Sequence, residues 1–281
     1  MTAVVTAFPT TNKISTAIIE VTPDTARRWL ESNNTHNRKL SPMRTAQYAQ
    51  DMASGRWSFN GEALQFDRDG VLLNGQHRLS AIVVCGIPQT FLIVRGLDPT
   101  TQITIDQGTR RAPGEQLQLA GIPAGNSIAA SLRVYLEWQQ GRLFSGKTLG
   151  VTTSEVVEWA SAHLDAVEEL RRISNSGIRR VPGVPSIALA VALRLHEIDR
   201  VAADNFVSSL ISGANLAADS PVLALRNRLA KAKESGIRVS TKDAIGFYVT
   251  AWNAYRDCRP LTRIQRPSGA SWTVDNFPTP R

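Results

Sequence analysis

At Leu72-Leu73-Asn74-Gly75-Gln76-His77-Arg78-Leu79-Ser80-Ala81-Ile82, the chain passes from an apolar extended run into a helical one, and Gly75 marks the junction. A helix that opens after such a break presents backbone N–H groups at the positive end of its dipole, a geometry that suits a phosphate or a carboxylate. His77 and Arg78 add a proton carrier and a forked cation to the same turn. The alternative interpretation is a tight turn whose polar residues only cap a helix, and the four residues 75–78 alone favour neither interpretation.

The residues around this junction predict a mixed α and β domain over residues 14–122. Asp67-Arg68-Asp69-Gly70 separates two short apolar runs and predicts a β-hairpin. Thr22-Pro23 and Ser41-Pro42 are N-cap and first-turn pairs that predict two helix starts. The predicted strands are Ile14–Val21, Glu62–Phe66, Val71–Leu73 and Thr90–Arg95, and the predicted helices end near Ser32, Ala53, Gly86 and Ala120.

A second domain, over residues 123–259, is predicted to be entirely helical because its apolar residues recur with helical rather than strand spacing. The predicted helices are Ser127–Gln140, Ser154–Ile173, Ser186–Glu197, Ala202–Ile211, Val222–Glu234 and Thr241–Arg256. His163 and His196 each stand alone on these helices and are interpreted as structural. Residues 260–281 mix prolines, arginines and polar residues and predict an irregular basic tail.

Composition narrows the class of protein. The chain has 281 residues, is 42% hydrophobic and carries a net charge of +8. No apolar run approaches the ~20 residues that span a bilayer, and two cysteines cannot form a disulfide framework, so we expect a cytoplasmic protein with no membrane partner. Residues 221–281 hold 11 of the 32 Lys and Arg residues but 4 of the 24 acidic ones. Such a local basic excess attracts nucleic acid, although a solvated surface would show the same pattern.

The stretch over residues 62–81 reads Glu62-Ala63-Leu64-Gln65-Phe66-Asp67-Arg68-Asp69-Gly70-Val71-Leu72-Leu73-Asn74-Gly75-Gln76-His77-Arg78-Leu79-Ser80-Ala81. This stretch resembles the ParB/sulfiredoxin superfamily. It is most similar to the branch that carries an Asp-Gly-Gln-His-Arg signature, with Asn74 in place of the aspartate. Ala251-Trp252-Asn253-Ala254-Tyr255-Arg256 also resembles the C-terminal helix of ParB-like nucleases of phages and mobile elements. The resemblance implies a small α+β fold whose glycine-to-helix turn binds nucleotide phosphates, followed here by an all-α domain.

The resemblance implies ATP or CTP as the ligand, but members of the superfamily differ in chemistry, so the fold does not choose the reaction. The sulfiredoxin reaction is not expected, because Gln76 stands where that branch has its catalytic cysteine. Three function classes stay open. The chain hydrolyses ATP or CTP, or cleaves DNA, as a DNA-associated protein; it is a nucleotide-dependent phosphotransferase or DNA-base-modifying enzyme; or it is a non-catalytic DNA-binding protein switched by nucleotide.

Residue roles follow from the chemistry. The phosphate is expected on the backbone at Gly75, Gln76 and His77, with Arg78 neutralising it. Glu62 is the candidate ligand for Mg²⁺ or the candidate base, and His77 is the second candidate catalytic residue. A second cationic clamp is expected from Thr109, Arg110 and Arg111. DNA contacts are expected from the basic C-terminal part, at Arg226, Arg228, Lys231, Lys233, Arg256, Arg259, Arg263 and Arg266. A homodimer is left open as a further partner.

Overall fold

The protein has a mixed α+β architecture, with its strands in the N-terminal part and its helices continuing to the C-terminal part. The computed structural model describes residues 13–35, 37, 39–105, 111–144, 150–236, 238–267 and 272–281, and leaves the side chain of residue 103 undescribed. Within these residues there are four strands and eleven α-helices. The chain divides into two compact units, Met1–Arg110 with Lys147–Gly150 and Arg111–Gly146 with Val151–Arg281.

The first unit contains a four-stranded sheet. Its strands are β1 (Ser15–Val21), β2 (Ala63–Asp67), β3 (Leu72–Asn74) and β4 (Gln89–Leu97), in the spatial order β1-β4-β2-β3. The β1/β4 and β2/β3 pairs are antiparallel, and β2 runs parallel to β4. The predicted hairpin is confirmed, and Asp67 shapes its turn by accepting hydrogen bonds at Oδ1 from the backbone N–H groups of Asp69 (2.9 Å) and Val71 (2.8 Å).

Three helices share an apolar core with this sheet: α1 (Pro23–Ser32), α2 (Pro42–Ala53) and α3 (Gln76–Cys85). The predicted N-caps are confirmed, since the Thr22 hydroxyl accepts from the Thr25 N–H and the Ser41 hydroxyl from the Arg44 N–H. Helix α3 contacts both α1 and α2 and is buried over its first seven residues. The glycine-to-helix junction therefore lies in the interior of the first unit.

The second unit is a helical bundle with one extended apolar core. Its helices are α4 (Pro113–Leu119), α5 (Asn126–Gln139), α6 (Thr153–Ala162), α7 (Leu164–Asn175), α8 (Pro185–Ile198), α9 (Arg200–Ser212), α10 (Pro221–Glu234) and α11 (Thr241–Arg256). The single helix predicted over Ser154–Ile173 is wrong: His163, at ψ +57°, breaks it into α6 and α7. Helix α4 packs against α5 and α6, so the division between the units lies earlier in the chain than residue 122.

The segment after residue 260 has no helix or strand among its described residues, but it packs against the bundle. Trp272 belongs to the core of the second unit, and the Trp252 indole Nε1–H donates to the backbone carbonyl of Arg281 at 2.8 Å. Side-chain contacts with α11 thus hold this irregular segment in place. None of the described helices combines the length and the apolar composition that a membrane-spanning helix needs.

Candidate functional site

The junction at Gly75 requires glycine on two counts. Its φ of +114° lies in the left-handed region, and a Cβ built there would lie 2.3 Å from Leu64 Cδ2. The Gly75 carbonyl accepts from the N–H groups of Arg78 (2.9 Å) and Leu79 (3.0 Å), which starts α3. Gly75 brings no side-chain cap to the helix. Because the N-cap residue has no side chain, it does not offset the positive end of the α3 dipole.

The first turn of α3 is covered, whereas the sequence predicted a turn that presents its groups to a ligand. The residues Gln76, His77 and Arg78 are 5%, 7% and 8% exposed. The segment between α1 and α2 lies against this turn: Asn34 Nδ2 donates to Gln76 Oε1 (3.4 Å), and the Ser41 N–H donates to His77 Nε2 (2.9 Å). Gln76 and His77 thus hold this segment as well as opening the helix.

The contact with Ser41 defines the state of His77. Because Nε2 accepts a hydrogen from a backbone amide, it carries no proton, and the proton of the neutral ring is on Nδ1. The lone pair that would act as a base is therefore already used. In this arrangement His77 joins the N-terminus of α2 to the first turn of α3.

Arg78 and Glu62, which were both predicted to belong to the site, are brought together. Arg78 Nη1 lies 3.8 Å from Glu62 Oε2, and the Glu62 side chain is 65% exposed while that of Arg78 is 9% exposed. Glu62 immediately precedes β2, and Arg78 lies in the first turn of α3. A guanidinium in the first turn adds its charge to the positive helix end, so the potential there favours an anion.

Sequence reasoning missed a row of carboxamide side chains beside this turn. Gln102 Nε2 donates to Asn37 Oδ1 (3.3 Å), Asn37 Nδ2 donates to Asn34 Oδ1 (2.7 Å) and to the Leu72 carbonyl (2.5 Å), and Asn34 continues to Gln76. The concentration of asparagine in the segment after α1 was the available signal. These hydrogen bonds hold that segment over the α3 N-terminus.

The predicted second clamp is placed only in part. Thr109 and Arg110 lie outside the described residues. Arg111 is exposed in the second unit, where it lines an open hollow of about 440 Å³ with Glu115, Gln118 and Leu119. Within the described ranges, no three or more His, Cys, Asp or Glu side chains are grouped to hold a metal ion.

The eight cations predicted to contact DNA fall into two groups. Four make contacts within the second unit: Arg226 donates to the Leu210 carbonyl, Arg228 lies over the Phe247 ring, Arg256 pairs with Asp199, and Arg266 pairs with Asp243. The other four are exposed, namely Lys231, Lys233, Arg259 and Arg263. Lys231 and Lys233 lie in the last turn of α10. Arg256 and Arg266 are exposed as well, but the charge of each is paired with a carboxylate.

His196 is not isolated, as the sequence suggested, but lies between two carboxylates from neighbouring helices. Its Nδ1 is 2.6 Å from Glu169 Oε1, and its Nε2 is 3.2 Å from Asp204 Oδ1. Arg172 pairs with both carboxylates at 2.7 Å. The hydrogen bond from Arg172, followed by that from His196, lowers the pKa of Glu169, although burial opposes the shift. The cluster joins α7, α8 and α9, so its role in the bundle is structural.

Comparison with known proteins adds no family to this description. No protein-family model matches the sequence. No curated protein matches it either. The resemblance to the ParB/sulfiredoxin superfamily therefore stays an interpretation of the residues between Glu62 and Ala81.

Proposed function

We propose that this chain is a cytoplasmic, DNA-associated protein of the ParB/sulfiredoxin-like type that binds a nucleotide through its phosphates at the first turn of α3. The single observation that supports this best is the placement of Arg78 in that turn, 3.8 Å from Glu62. A cation and a helix N-terminus combine there beside an exposed carboxylate. A nucleotide phosphate would bind the positive charge of Arg78 and the helix N-terminus, and Mg²⁺ bound to that phosphate would use the negative charge of Glu62.

In the proposed reaction, Arg78 neutralises a phosphate that accepts hydrogen bonds from the backbone near Gly75 and Gln76. Glu62 would ligate Mg²⁺, which in nucleotide sites needs only one or two protein carboxylates because phosphates and water complete its shell. Bound Mg²⁺ would supply neutralisation of phosphate charge. Alternatively, Glu62 accepts a proton from the water whose oxygen bonds to phosphorus. The P–O bond to the nucleoside diphosphate, or to the sugar oxygen of DNA, breaks, and solvent protonates the leaving oxygen.

The candidate base is Glu62 rather than His77. The Nε2 lone pair of His77 holds the Ser41 N–H, so proton transfer through that atom would break a hydrogen bond between two helices. Glu62 is largely exposed and can reach both solvent and Arg78. We therefore assign His77 to positioning and Glu62 to chemistry.

A second candidate function is a nucleotide-switched DNA-binding protein without turnover. The burial of Gln76, His77 and Arg78 favours it, because an enclosed first turn limits the groups that can act on a bound phosphate. In both candidates the second unit contacts DNA phosphates through the exposed cations Lys231, Lys233, Arg259 and Arg263.

Turnover separates the two candidates. Phosphate release from ATP and CTP is measured with Mg²⁺, with and without duplex DNA, for the wild type, Glu62→Gln and the exposed control Glu20→Gln. We expect Glu62→Gln to keep nucleotide binding and to lose at least about a hundredfold in rate, while Glu20→Gln matches the wild type. Binding without turnover in the wild type would support the switch. Absence of binding to either nucleotide would contradict both candidates.

A further inference from the structure

Residues 277–281 lie along α11 without forming a helix or strand of their own. One side chain of α11 pairs with their backbone twice: Asn253 Nδ2 donates to the Thr279 carbonyl at 2.9 Å, and Asn253 Oδ1 accepts from the Arg281 N–H at 3.2 Å. In an extended backbone, the carbonyl of one residue and the N–H two residues later face the same side. A carboxamide is both a donor and an acceptor, so it can hold such a segment as a neighbouring strand would.

Two more residues of α11 contact Arg281 and, with Asn253, form what we name the α11 groove: Trp252 and Asp257. The Trp252 Nε1–H donates to the Arg281 carbonyl at 2.8 Å, and Asp257 Oδ2 lies 2.6 Å from Arg281 Nη2. Asp257 is the C-cap residue of α11, so the negative end of the helix dipole adds to its charge and the potential there favours a cation. The α11 groove thus binds a backbone by hydrogen bonds and an arginine by charge.

The contacts of residues 277–281 are those of a ligand on a surface. Trp272 is 4% exposed in the core of the second unit, whereas none of residues 277–281 is buried and the Arg281 side chain is 66% exposed. Phe277, which is half-buried with its ring centroid 5.3 Å from that of Phe144, is the apolar anchor. Because water competes with exposed hydrogen bonds and ion pairs, these hold a segment weakly. Residues 277–281 can therefore leave α11 while Trp272 stays in the core.

Pro278 and Pro280 prepare the segment for this groove. Proline fixes its own φ at about −65° and restricts the residue before it to extended backbone, so Phe277 and Thr279 are held extended in the free segment as well. A peptide that is extended before it binds loses less conformational entropy on binding, which makes proline-rich segments good ligands for surface grooves. The pattern that fits the α11 groove is therefore Phe-Pro-x-Pro-Arg.

We propose that the α11 groove is a peptide-binding site for extended segments of the pattern Phe-Pro-x-Pro-Arg. Residues 277–281 occupy it as an intramolecular ligand, and the same pattern in another chain replaces them. Asn253 and Trp252 set the register by backbone hydrogen bonds, and Asp257 selects the arginine. This inference is independent of nucleotide binding and of DNA binding.

Peptide exchange on the full chain tests the proposal. The probe is a fluorescein-labelled peptide with the sequence of residues 276–281 and an amidated C-terminus, and fluorescence anisotropy measures its binding. In the wild type, the attached segment competes at an effective concentration of about millimolar. Arg281→Glu replaces the attraction to Asp257 by repulsion, so this variant should bind the peptide about tenfold more tightly than the wild type does. Lys233→Glu makes the same charge change at an exposed position of α10 and should bind like the wild type.

A charge swap tests the role of Asp257. Asp257→Arg should bind a peptide that carries glutamate in place of its arginine, and should bind the original peptide at least about tenfold less tightly than Arg281→Glu does. Adding Asn253→Ala to Arg281→Glu should weaken binding of the original peptide about tenfold, because two hydrogen bonds to the peptide backbone are lost. Thermal unfolding checks that each variant is folded.

Four results overturn the proposal. The first is an Arg281→Glu protein that shows no saturable binding of the peptide, and the second is a folded Asn253→Ala variant that binds equally well. The third is an Asp257→Arg protein that still prefers the arginine peptide, which decides the matter even where Asn253→Ala is unfolded. The fourth is a Lys233→Glu protein that binds as tightly as Arg281→Glu.

Discussion

The backbone N–H of Ser41 donates to Nε2 of His77 at 2.9 Å, and this hydrogen bond joins the N-cap of α2 to the first turn of α3. A histidine in a nucleotide-binding signature is easily taken for a catalytic base. Here its acceptor atom is used by the fold, so the residue positions the turn in which Arg78 lies. Substitution of His77 should therefore change mainly stability, whereas substitution of Glu62 should change mainly turnover.

We expect His77→Ala to destabilise the first unit by about 1–3 kcal/mol, because the Ser41 N–H would lose its acceptor in a covered position. Urea unfolding measures the loss. The control Val84→Ala, at an exposed position of the same helix, should stay within about 0.5 kcal/mol of the wild type. A stable His77→Ala protein that has lost only turnover would show instead that this histidine is catalytic.

Alanine substitutions of the two glycines at the ends of α3 distinguish the cost of backbone strain from the cost of a steric clash. Both have positive φ, but a Cβ at Gly75 would lie 2.3 Å from Leu64 Cδ2, whereas a Cβ at Gly86 meets nothing within 4 Å. Gly86→Ala should cost about 1–2 kcal/mol for the left-handed backbone alone. Gly75→Ala should cost about 1–3 kcal/mol more because Leu64 must also move. Equal costs in thermal or urea unfolding would show that the junction is not tightly packed.

The helical bundle should lose stability in acid through Glu169. Its folded pKa is lowered, first by the hydrogen bond from Arg172, so its contribution is present above the unfolded pKa and is lost as pH falls through the folded one. We expect the melting temperature of the wild type to decrease when the pH is lowered below about 4. In Glu169→Gln this decrease in melting temperature should be smaller. The neighbouring exposed residue offers the control Glu168→Gln, which should follow the wild type. Parallel curves for Glu169→Gln and the wild type would rule out this contribution.

DNA binding should depend on the exposed cations and not on the paired ones. In the double variant Lys231→Gln/Lys233→Gln, the slope of log affinity against log salt should become less steep. Its magnitude should decrease by about 1 for each DNA phosphate that these lysines neutralise in the wild type. Arg256 pairs with Asp199 and lies over the Trp252 ring, so Arg256→Gln should lower thermal stability but leave the salt slope unchanged. The reverse pattern would place the DNA-binding surface elsewhere.

Local sequence signals predicted the elements of the fold well. Proline after threonine or serine marked the starts of α1 and α2, Asp67 to Gly70 marked the hairpin, and Gly75 and Gly86 bounded α3. These are contacts within a few residues of the chain, which a pattern can express. The break at His163 was missed because the apolar spacing continues across it from α6 into α7.

The site was harder to predict because it depends on contacts between distant residues. The meeting of Glu62 with Arg78 followed from strand pairing and could be anticipated. The contacts that cover Gln76 and His77 could not be anticipated, since Asn34 and Ser41 are separated from them by about forty residues in the sequence. The basic C-terminal excess likewise did not reveal which arginines have partners, because those partners lie on α9, on α11 and between α8 and α9.

The central claim is that a nucleotide phosphate binds at the first turn of α3 beside Arg78. Calorimetric titration of ATP and CTP, each with Mg²⁺, tests it in the wild type, in Arg78→Gln and in Arg68→Gln, whose arginine pairs with Asp98 in the same unit. We predict saturable binding in the wild type and in Arg68→Gln, and a loss of about tenfold to a hundredfold in Arg78→Gln, the range expected for a hydrogen bond to a charged group. Arg78→Gln protein that is folded and binds as the wild type does, or a wild type that binds neither nucleotide, would contradict the account.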